Sequence, residues 1–370
     1  LNNIGTICKM LDEQERALEY YGRALTLFRQ LYGDTHNHVA TLLNNIGTLN
    51  YKLEMYDEAI DHYRESMNIY IKNLGENHAL VAAGHINLAT VYDAKVENDK
   101  SLAEYEKALK IKLLLDGEKT AEVGGIYNSI GTIYKDMGSF EKAFEAFYKG
   151  YEIRNEVYKG ADNQLIVNSL NNLAGLLYAM GAFEDSLKYY ETSLEMQIRL
   201  TGEDSVEIAA TLSNMGAIQK NLKEYTKAVE YYERSNKIFV KKHGQIHPTV
   251  ATCNNNIATL LKLQGKLPQA LEKYSKSKEL FEAIYTATHP TVATLLNNIG
   301  MISESMGRND QAIENYALSL KIYIELYGEK HAQVGSLNYS LGLLYYKIHD
   351  IESAIESFSK ALQVRKAIHG

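Results

Sequence analysis

The stretch Leu43-Asn44-Asn45-Ile46-Gly47 also opens the chain as Leu1-Asn2-Asn3-Ile4-Gly5 and returns as Leu296-Asn297-Asn298-Ile299-Gly300. Its last position recurs at Gly5, Gly47, Ala89, Gly131, Ala174, Gly216, Ala258, Gly300 and Gly342. The step is 42 residues everywhere except for one of 43 between Gly131 and Ala174. A fixed period between about 20 and 50 residues is the sequence sign of a repeat architecture. Nine copies account for the chain, with boundaries near 1–35, 36–77, 78–119, 120–161, 162–204, 205–246, 247–288, 289–330 and 331–370. One continuous array is therefore expected, in place of the several globular domains that 370 residues would otherwise suggest.

A content of 45% hydrophobic and 23% charged residues belongs to a folded chain and excludes a disordered tail as the main reading. The net charge of -7 is spread along the sequence with no basic block, so nucleic acid is not an expected partner. Cys8 and Cys253 fall in equivalent helices of distant repeats, which argues for a reducing, cytoplasmic setting. No apolar run approaches the roughly 20 residues that cross a bilayer and no signal pattern opens the chain, so membrane insertion is not expected. Leu1 falls inside a repeat helix, and the chain is expected to be a fragment of a longer protein.

Each repeat reads as two amphipathic helices. In the second copy, helix A is expected from about His38 to Leu53, with Leu42, Leu43, Ile46 and Leu49 on one face. Helix B follows from about Tyr56 to Asn73, with Ala59, Ile60, Tyr63, Met67 and Tyr70 on its apolar face. Glycines at Gly33, Gly75, Gly117, Gly202, Gly244 and Gly328 suit the left-handed residue that ends a helix. A polar starter follows three residues later, at His36, His78, His247, His289 or His331, and Pro248 or Pro290 then occupies the first turn, where proline is tolerated.

Three slots carry the architecture. The signature ends in Gly or Ala although a mid-helix glycine costs about 1 kcal/mol relative to alanine, so close packing is expected to offset it. A small residue follows in helix B (Ala17, Ala59, Ser101, Ala143, Ser186, Ala228, Ala270, Ala312, Ala354), and another stands seven residues further on. Between them lies an aromatic: Tyr21, Tyr63, Tyr105, Phe147, Tyr190, Tyr232, Tyr274, Tyr316 or Phe358. The small residues let the helices approach, and the ring fills the space between neighbouring repeats. Overpacking by Ala228→Leu is expected to cost about 1–3 kcal/mol.

At these residues the chain resembles the tetratricopeptide repeat, with its Leu-Gly pair in helix A and its Ala, aromatic, Ala series in helix B. The 42-residue period, Leu296-Asn297-Asn298-Ile299-Gly300 and His289-Pro290-Thr291-Val292-Ala293 resemble more narrowly the repeats of kinesin light chains and nephrocystin-3-like proteins. The chain differs from a kinesin light chain in having more repeats, no heptad coiled coil, and no double Asn in the third and fourth copies. The resemblance implies an all-α, right-handed α-α superhelical solenoid of nine helix-turn-helix repeats, with helix A lining a concave groove.

The second Asn of the signature stands at Asn3, Asn45, Asn87, Asn172, Asn214, Asn256 and Asn298, with Ser129 and Ser340 replacing it in two copies. Asparagine is a mediocre helix former, so its persistence in mid-helix asks for a reason. A carboxamide donates and accepts like a peptide group. Helices about 8–10 Å apart would let such a ladder meet about every third residue of an extended chain. The competing reading has each Asn bonding the neighbouring repeat. The resemblance implies that these positions line a peptide groove, as they do in kinesin light chains. Along the same face lie Thr6, Thr48, Thr90, Thr132 and Thr259, then Lys9, Tyr51, Lys52, Lys135, Lys220, Lys262 and Lys347 against Asp93, Asp136 and Glu304. This balance favours an acidic peptide. A further helix B slot carries Phe28, Tyr70, Phe239, Phe281 and Tyr323, read as core, and Lys112, Arg154, Gln197 and Arg365 in other copies, read as a more polar face. The extra residue near 159–163 is expected in a loop between repeats.

Catalysis, cofactors and metal binding are not expected. The histidines are periodic helix starters, and the glycines form no phosphate loop. The sequence points to a non-catalytic protein-protein interaction scaffold that binds a peptide segment in its groove, in the manner of a kinesin-light-chain-like cargo adaptor. A structural spacer in a cytoskeletal or ciliary complex, and a regulatory array attached to an enzyme domain elsewhere, stand as alternatives. Partner identity and oligomeric state are left open.

Overall fold

The structure, a computed structural model, describes residues Leu1–His369. They form eighteen α-helices, with no strand among the described residues. The first nine are α1 (Asn2–Met10), α2 (Gln14–Tyr32), α3 (Asn37–Lys52), α4 (Tyr56–Leu74), α5 (Ala79–Ala94), α6 (Asn98–Asp116), α7 (Ala121–Asp136), α8 (Phe140–Val157) and α9 (Gln164–Ala179). Then come α10 (Phe183–Thr201), α11 (Val206–Asn221), α12 (Tyr225–His243), α13 (Pro248–Leu263), α14 (Leu267–Ile284), α15 (Pro290–Ser305), α16 (Asn309–Tyr327), α17 (Ala332–Lys347) and α18 (Ile351–His369). Odd-numbered helices are the A helices and even-numbered ones the B helices, and α3 and α4 end within a residue or so of the expected limits. The chain divides into two compact units, Leu1–Met196 and the residues from Gln197 onward, with the division inside α10. Within each unit an A helix packs on its own B helix and each B helix packs on the next A helix, the layering of an α-α superhelical solenoid.

The glycine and aromatic slots meet in every repeat that has glycine. A Cβ placed on Gly131 would stand 2.6 Å from Phe147 Cδ1, and one on Gly300 would stand 2.7 Å from Tyr316. The ring thus lies flat against the A-helix backbone of its own repeat. Its other side meets the following repeat: Tyr21 clusters with Leu42, Ile46 and Leu49, and Phe147 with Leu173 and Leu176. The ring fills the space between repeats, as expected, and also covers the missing side chain within its own. Serines in the small slots add a bond across the helix pair. Ser66 donates to the Ala40 carbonyl, Ser235 to Ala209, Ser277 to Ala251 and Ser319 to Ala293, each within 2.7–2.8 Å.

Helix ends carry two devices. The starter histidines cap the A helices: Nδ1 of His36, His78, His247, His289 and His331 accepts from the backbone N–H two residues on, at 3.1–3.3 Å. Thr120, Asn163 and Ser205 do the same work for α7, α9 and α11. Several cap imidazoles also stack on a ring at the end of the preceding B helix, as His247 does on His243, the last residue of α12, at 4.2 Å and His289 on Tyr285, which follows α14, at 4.4 Å.

The glycine after helix B differs from the expectation. Gly33 has φ 81° and ψ 166°, a positive φ with extended ψ that only glycine adopts readily, and it is not the left-handed helical residue. That residue sits in the turn between helices A and B, at Asp12, Glu54, Val96, Lys223 and His349 and at glycines such as Gly138 and Gly265. There the paired bonds of a Schellman ending appear, for example Val96 N–H to the Asp93 carbonyl and Glu97 N–H to the Tyr92 carbonyl.

Val96 is a β-branched residue held at φ 60° with 79% of its surface exposed, so its side chain adds strain and little packing. Val96→Gly should stabilise the chain by about 0.5–1 kcal/mol, read as a higher urea midpoint. An unchanged or lower midpoint would contradict the strain. His289→Ala should cost about 1 kcal/mol, whereas His289→Asn, with the side chain that caps α9, should recover most of that loss. Equal losses in the two variants would remove the capping role.

Candidate functional site

The A helices bury one broad face and leave the slot two residues before the Gly or Ala at its margin. In α3, for instance, Leu42, Leu43, Ile46, Gly47 and Leu49 are buried while Asn45 is half-buried. Asn87, Asn172, Asn256 and Asn298 are also half-buried, and Asn3 and Asn214 are exposed. The two Asn of the signature have different surroundings. The first ties neighbouring helices where it bonds: Asn44 Oδ1 accepts from Asn87 at 2.8 Å, and Asn171 Oδ1 accepts from Ser193 at 2.7 Å. Asn128 donates to Ser169 Oγ at 2.9 Å. In the second position Asn87 bonds to Asn44 of the preceding repeat and Asn214 is also engaged within the chain, while Asn45, Asn172, Asn256 and Asn298 carry side chains bonded to no other group of the chain. The structure therefore sets these four amides apart as open donors and acceptors.

The threonine series is committed inward. Thr6, Thr48, Thr90 and Thr259 meet the hydroxyls of Tyr21, Tyr63, Tyr105 and Tyr274 at 2.9–3.4 Å. All five threonines donate to the carbonyl four residues back, and Thr132, whose repeat carries Phe147 in place of tyrosine, has that bond to Asn128 without a hydroxyl partner. These hydroxyls position the ring below the A-helix face.

Beyond them the charged slots are mixed. Burial, and then the charge of Lys52, pull the Lys9 pKa down, so these two lysines of adjacent repeats form a basic spot. Burial first and then Tyr56 and Asp93 raise the Tyr51 phenol, while burial and Asp136 raise the Asp93 carboxyl. Lys135 is half-buried and lies 3.9 Å from Asp136. Lys52, Lys220 and Lys262 form no ion pair. The basic character expected from counting lysines is broken in the first unit by Asp93 with Asp136 and in the second by Glu304, which pairs with Lys347 at 3.9 Å.

The second aromatic slot is core, with Tyr70, Phe239, Phe281 and Tyr323 buried. The polar replacements in the middle repeats do not make the polar face expected of them. Gln197 is 2% exposed and accepts from Thr211 at 3.0 Å, and Arg154 is also buried. Residues 159–163 do form a loop, in which Asn163 caps α9. Among the described residues no group of three or more His, Cys, Asp or Glu is placed to hold a metal ion, and no helix is long and apolar enough to cross a membrane.

Tyr316 links the core to this surface, because its hydroxyl donates to Glu304 Oε2 at 3.0 Å. Burial and the Glu304 carboxylate hold its pKa well above the usual phenol value. Above pH of about 10 the unfolded chain therefore releases a proton that the native chain keeps. This contribution to stability is complete below that pH and falls as pH rises. Tyr316→Phe should show a shallower alkaline loss of stability than the native chain, and equal slopes would contradict the assignment.

The helix pairs, their glycine and aromatic slots and the A-helix face can be set beside known proteins. The sequence profile described as tetratricopeptide repeat matches residues 1–72, 38–114, 122–199, 165–239 and 291–367. No curated protein sequence matches the chain. The crystal structure of BtubC (BKLC) from P. vanneervenii is similar at 24% identity over 62% of this chain and 92% of that one, with a TM-score of 0.56. A Podosopora anserina putative kinesin light chain with nearly identical TPR-like repeats is 15% identical over 56% of this chain and 98% of its own, with a TM-score of 0.50. The apo form of RapI is 16% identical over 99% of this chain and 97% of its own, with a TM-score of 0.66. At these identities the structures share the fold, and the profile matches along most of the sequence establish that the chain belongs to the tetratricopeptide-repeat family.

Proposed function

We propose that this array of nine repeats is a non-catalytic scaffold that captures an extended peptide segment of a partner protein along the A-helix face. The observation that carries this reading is the half-buried carboxamides on the A helices, Asn45 and Asn172 in the first unit and Asn256 and Asn298 in the second, which bond to nothing within the chain. Their amide atoms keep access to solvent, so each can exchange water for the groups of a ligand without breaking a bond within the chain. A carboxamide in the A helix matches both the N–H and the C=O of a peptide unit. Asn3 and Asn214 are the exposed members of the same slot, Asn214 with an interaction of its own within the chain, and Asn87 is held back by its bond to Asn44.

The lysines support a preference for acid. Lys52, Lys220 and Lys262 are unpaired, the crowding of Lys9 and Lys52 is relieved by an incoming carboxylate, and Tyr51 and Lys135 border the same track. Asp93 and Asp136 interrupt it, so the acid preference is local to parts of the ligand. A cargo adaptor of the kinesin light chain kind is the specific form of this proposal, resting on the shared signature. A cytoplasmic location is in keeping with two buried, free cysteines.

The test compares partners recovered by the native chain with those recovered by a variant carrying Asn45→Ala, Asn172→Ala, Asn256→Ala and Asn298→Ala. Alanine is the better helix former, so the variant is expected to keep its helix content and melting behaviour. Loss of a defined set of partners, at least tenfold in affinity, is the expected result. Retention of every partner by the folded variant would show that the amide row is not a recognition surface.

A further inference from the structure

The fourth repeat departs from the others in a way the peptide-scaffold reading does not use. In the second and eighth repeats the aromatic of helix B ends in a hydroxyl that meets a threonine of helix A: Tyr70 with Thr41 at 2.8 Å and Tyr323 with Thr294 at 2.9 Å. In the fourth repeat that helix B position is Arg154 and the threonine position is Gly125. A Cβ on Gly125 would lie 3.2 Å from Arg154 Nη2, so the glycine leaves the guanidinium uncovered on that side.

Arg154 is 8% exposed and carries a charge without a counterion. Its Nη1 donates to the Leu165 carbonyl at 3.1 Å and to Ser169 Oγ at 2.9 Å, both neutral. Its Nε is buried without a partner, and Nη2 bonds to nothing. A buried cation left unpaired in this way is costly. The cost is answered in the adjacent repeat, where Lys112 pairs with Glu122 and with Asp116 at 3.3 Å. Arg154 has no such carboxylate.

The open side of the guanidinium faces a cavity of about 520 Å³ whose walls include Ala79, Ala83, Gly125 and Ser129, together with Glu122, whose charge is taken up by its ion pair with Lys112 on the same wall. Ser129 occupies the slot that carries the second Asn in seven other repeats, so the cavity lies at a repeat where no amide stands in that slot. Small residues on both walls leave room for a side chain to enter.

We propose that Arg154 forms an anion subsite that takes one carboxylate, from an Asp or Glu side chain of the peptide bound along the A-helix face. The peptide origin rests on the proposed function above; the carboxylate chemistry does not. A planar guanidinium with unfilled donors suits a carboxylate. A dianionic phosphate is disfavoured, because Glu122 lines the same cavity and the free positive charge is single.

Two measurements on the full chain separate the parts of this proposal. Thermal unfolding is followed in sodium acetate, sodium chloride and sodium phosphate at equal ionic strength. Acetate should raise the melting temperature by about 1–2 °C over chloride in the native chain. The rise should vanish in Arg154→Leu and in Gly125→Thr, which supplies the internal oxygen found at Thr41 and Thr294. Equal melting in acetate and chloride, or an acetate effect that survives in both variants, overturns the subsite. A larger effect of phosphate than of acetate overturns its assignment to a carboxylate. Should either variant fail to fold, the arginine Nε–H resonances of the native chain decide: one must shift with acetate and not with chloride, and no shift refutes the subsite. Random peptides are then selected on the native chain and on Gly125→Thr. One acidic position that is enriched only on the native chain supports the peptide carboxylate, whereas peptides without it refute that origin. Failure to select any peptide would refute the groove reading and the peptide origin, while the acetate result still judges the subsite.

Discussion

An aromatic ring laid on a helix backbone where a side chain is missing is the contact on which the rest of this structure depends. Phe147 over Gly131 and Tyr316 over Gly300 fix how near helix A comes to helix B. The far side of each ring gives the next A helix a surface to pack on, so one residue sets both the distance within a repeat and the join between repeats. Burying such a ring contributes about 1.5–3 kcal/mol, enough to offset the helix propensity lost at the glycine. Alanine replaces glycine at Ala89, Ala174 and Ala258; Ser101 and Ser186 of helix B donate to the carbonyls of the first two at 2.9 and 2.7 Å, and the third has Ala270 in the serine position.

The ring also explains the surface above it. Its hydroxyl engages Thr6, Thr48, Thr90 or Thr259, which commits these threonines to the ring and leaves the asparagines beside them as the uncharged polar groups without such a tie. The two adjacent Asn of the signature then divide their work. Asn44 and Asn171 bond side chains of neighbouring helices, and Asn45 and Asn172 stand open beside them. In the fourth repeat the same slots are filled differently: Arg154 replaces the second aromatic, Gly125 removes its threonine partner and Ser129 replaces the amide. The three changes lie around one cavity. An array of repeats acquires local chemistry in this way, by altering other slots while keeping the ring and the Gly or Ala against which it packs.

Much of the fold was legible because its determinants recur at a fixed period. The Gly or Ala slot, the paired small residues and the ring can be read by aligning the chain with itself, and the starter histidines mark where A helices begin. The turns were less legible. Left-handed residues between helices A and B include Asp12, Glu54, Val96, Lys223 and His349, which share no residue type, so only the backbone reveals them. Gly33 looked like such a residue and proved to have an extended ψ. Within the site, Asn44 and Asn45 are alike in sequence, and their difference arises from which neighbour each side chain reaches. Arg154 and Gln197 seemed to offer a polar surface, but both are buried where Tyr70, Phe239, Phe281 and Tyr323 are in other repeats, whereas Lys112 is half-buried and Arg365 is exposed.

The central claim is that the A-helix face, through its open carboxamides, is where a partner's chain is held. A structure of the chain bound to a segment recovered from its partner would test it most directly. The account predicts an extended segment crossing successive A helices, with main-chain groups within hydrogen-bond distance of carboxamides among Asn45, Asn172, Asn256 and Asn298. A segment seated on the B helices, with those carboxamides still unbonded, would contradict it.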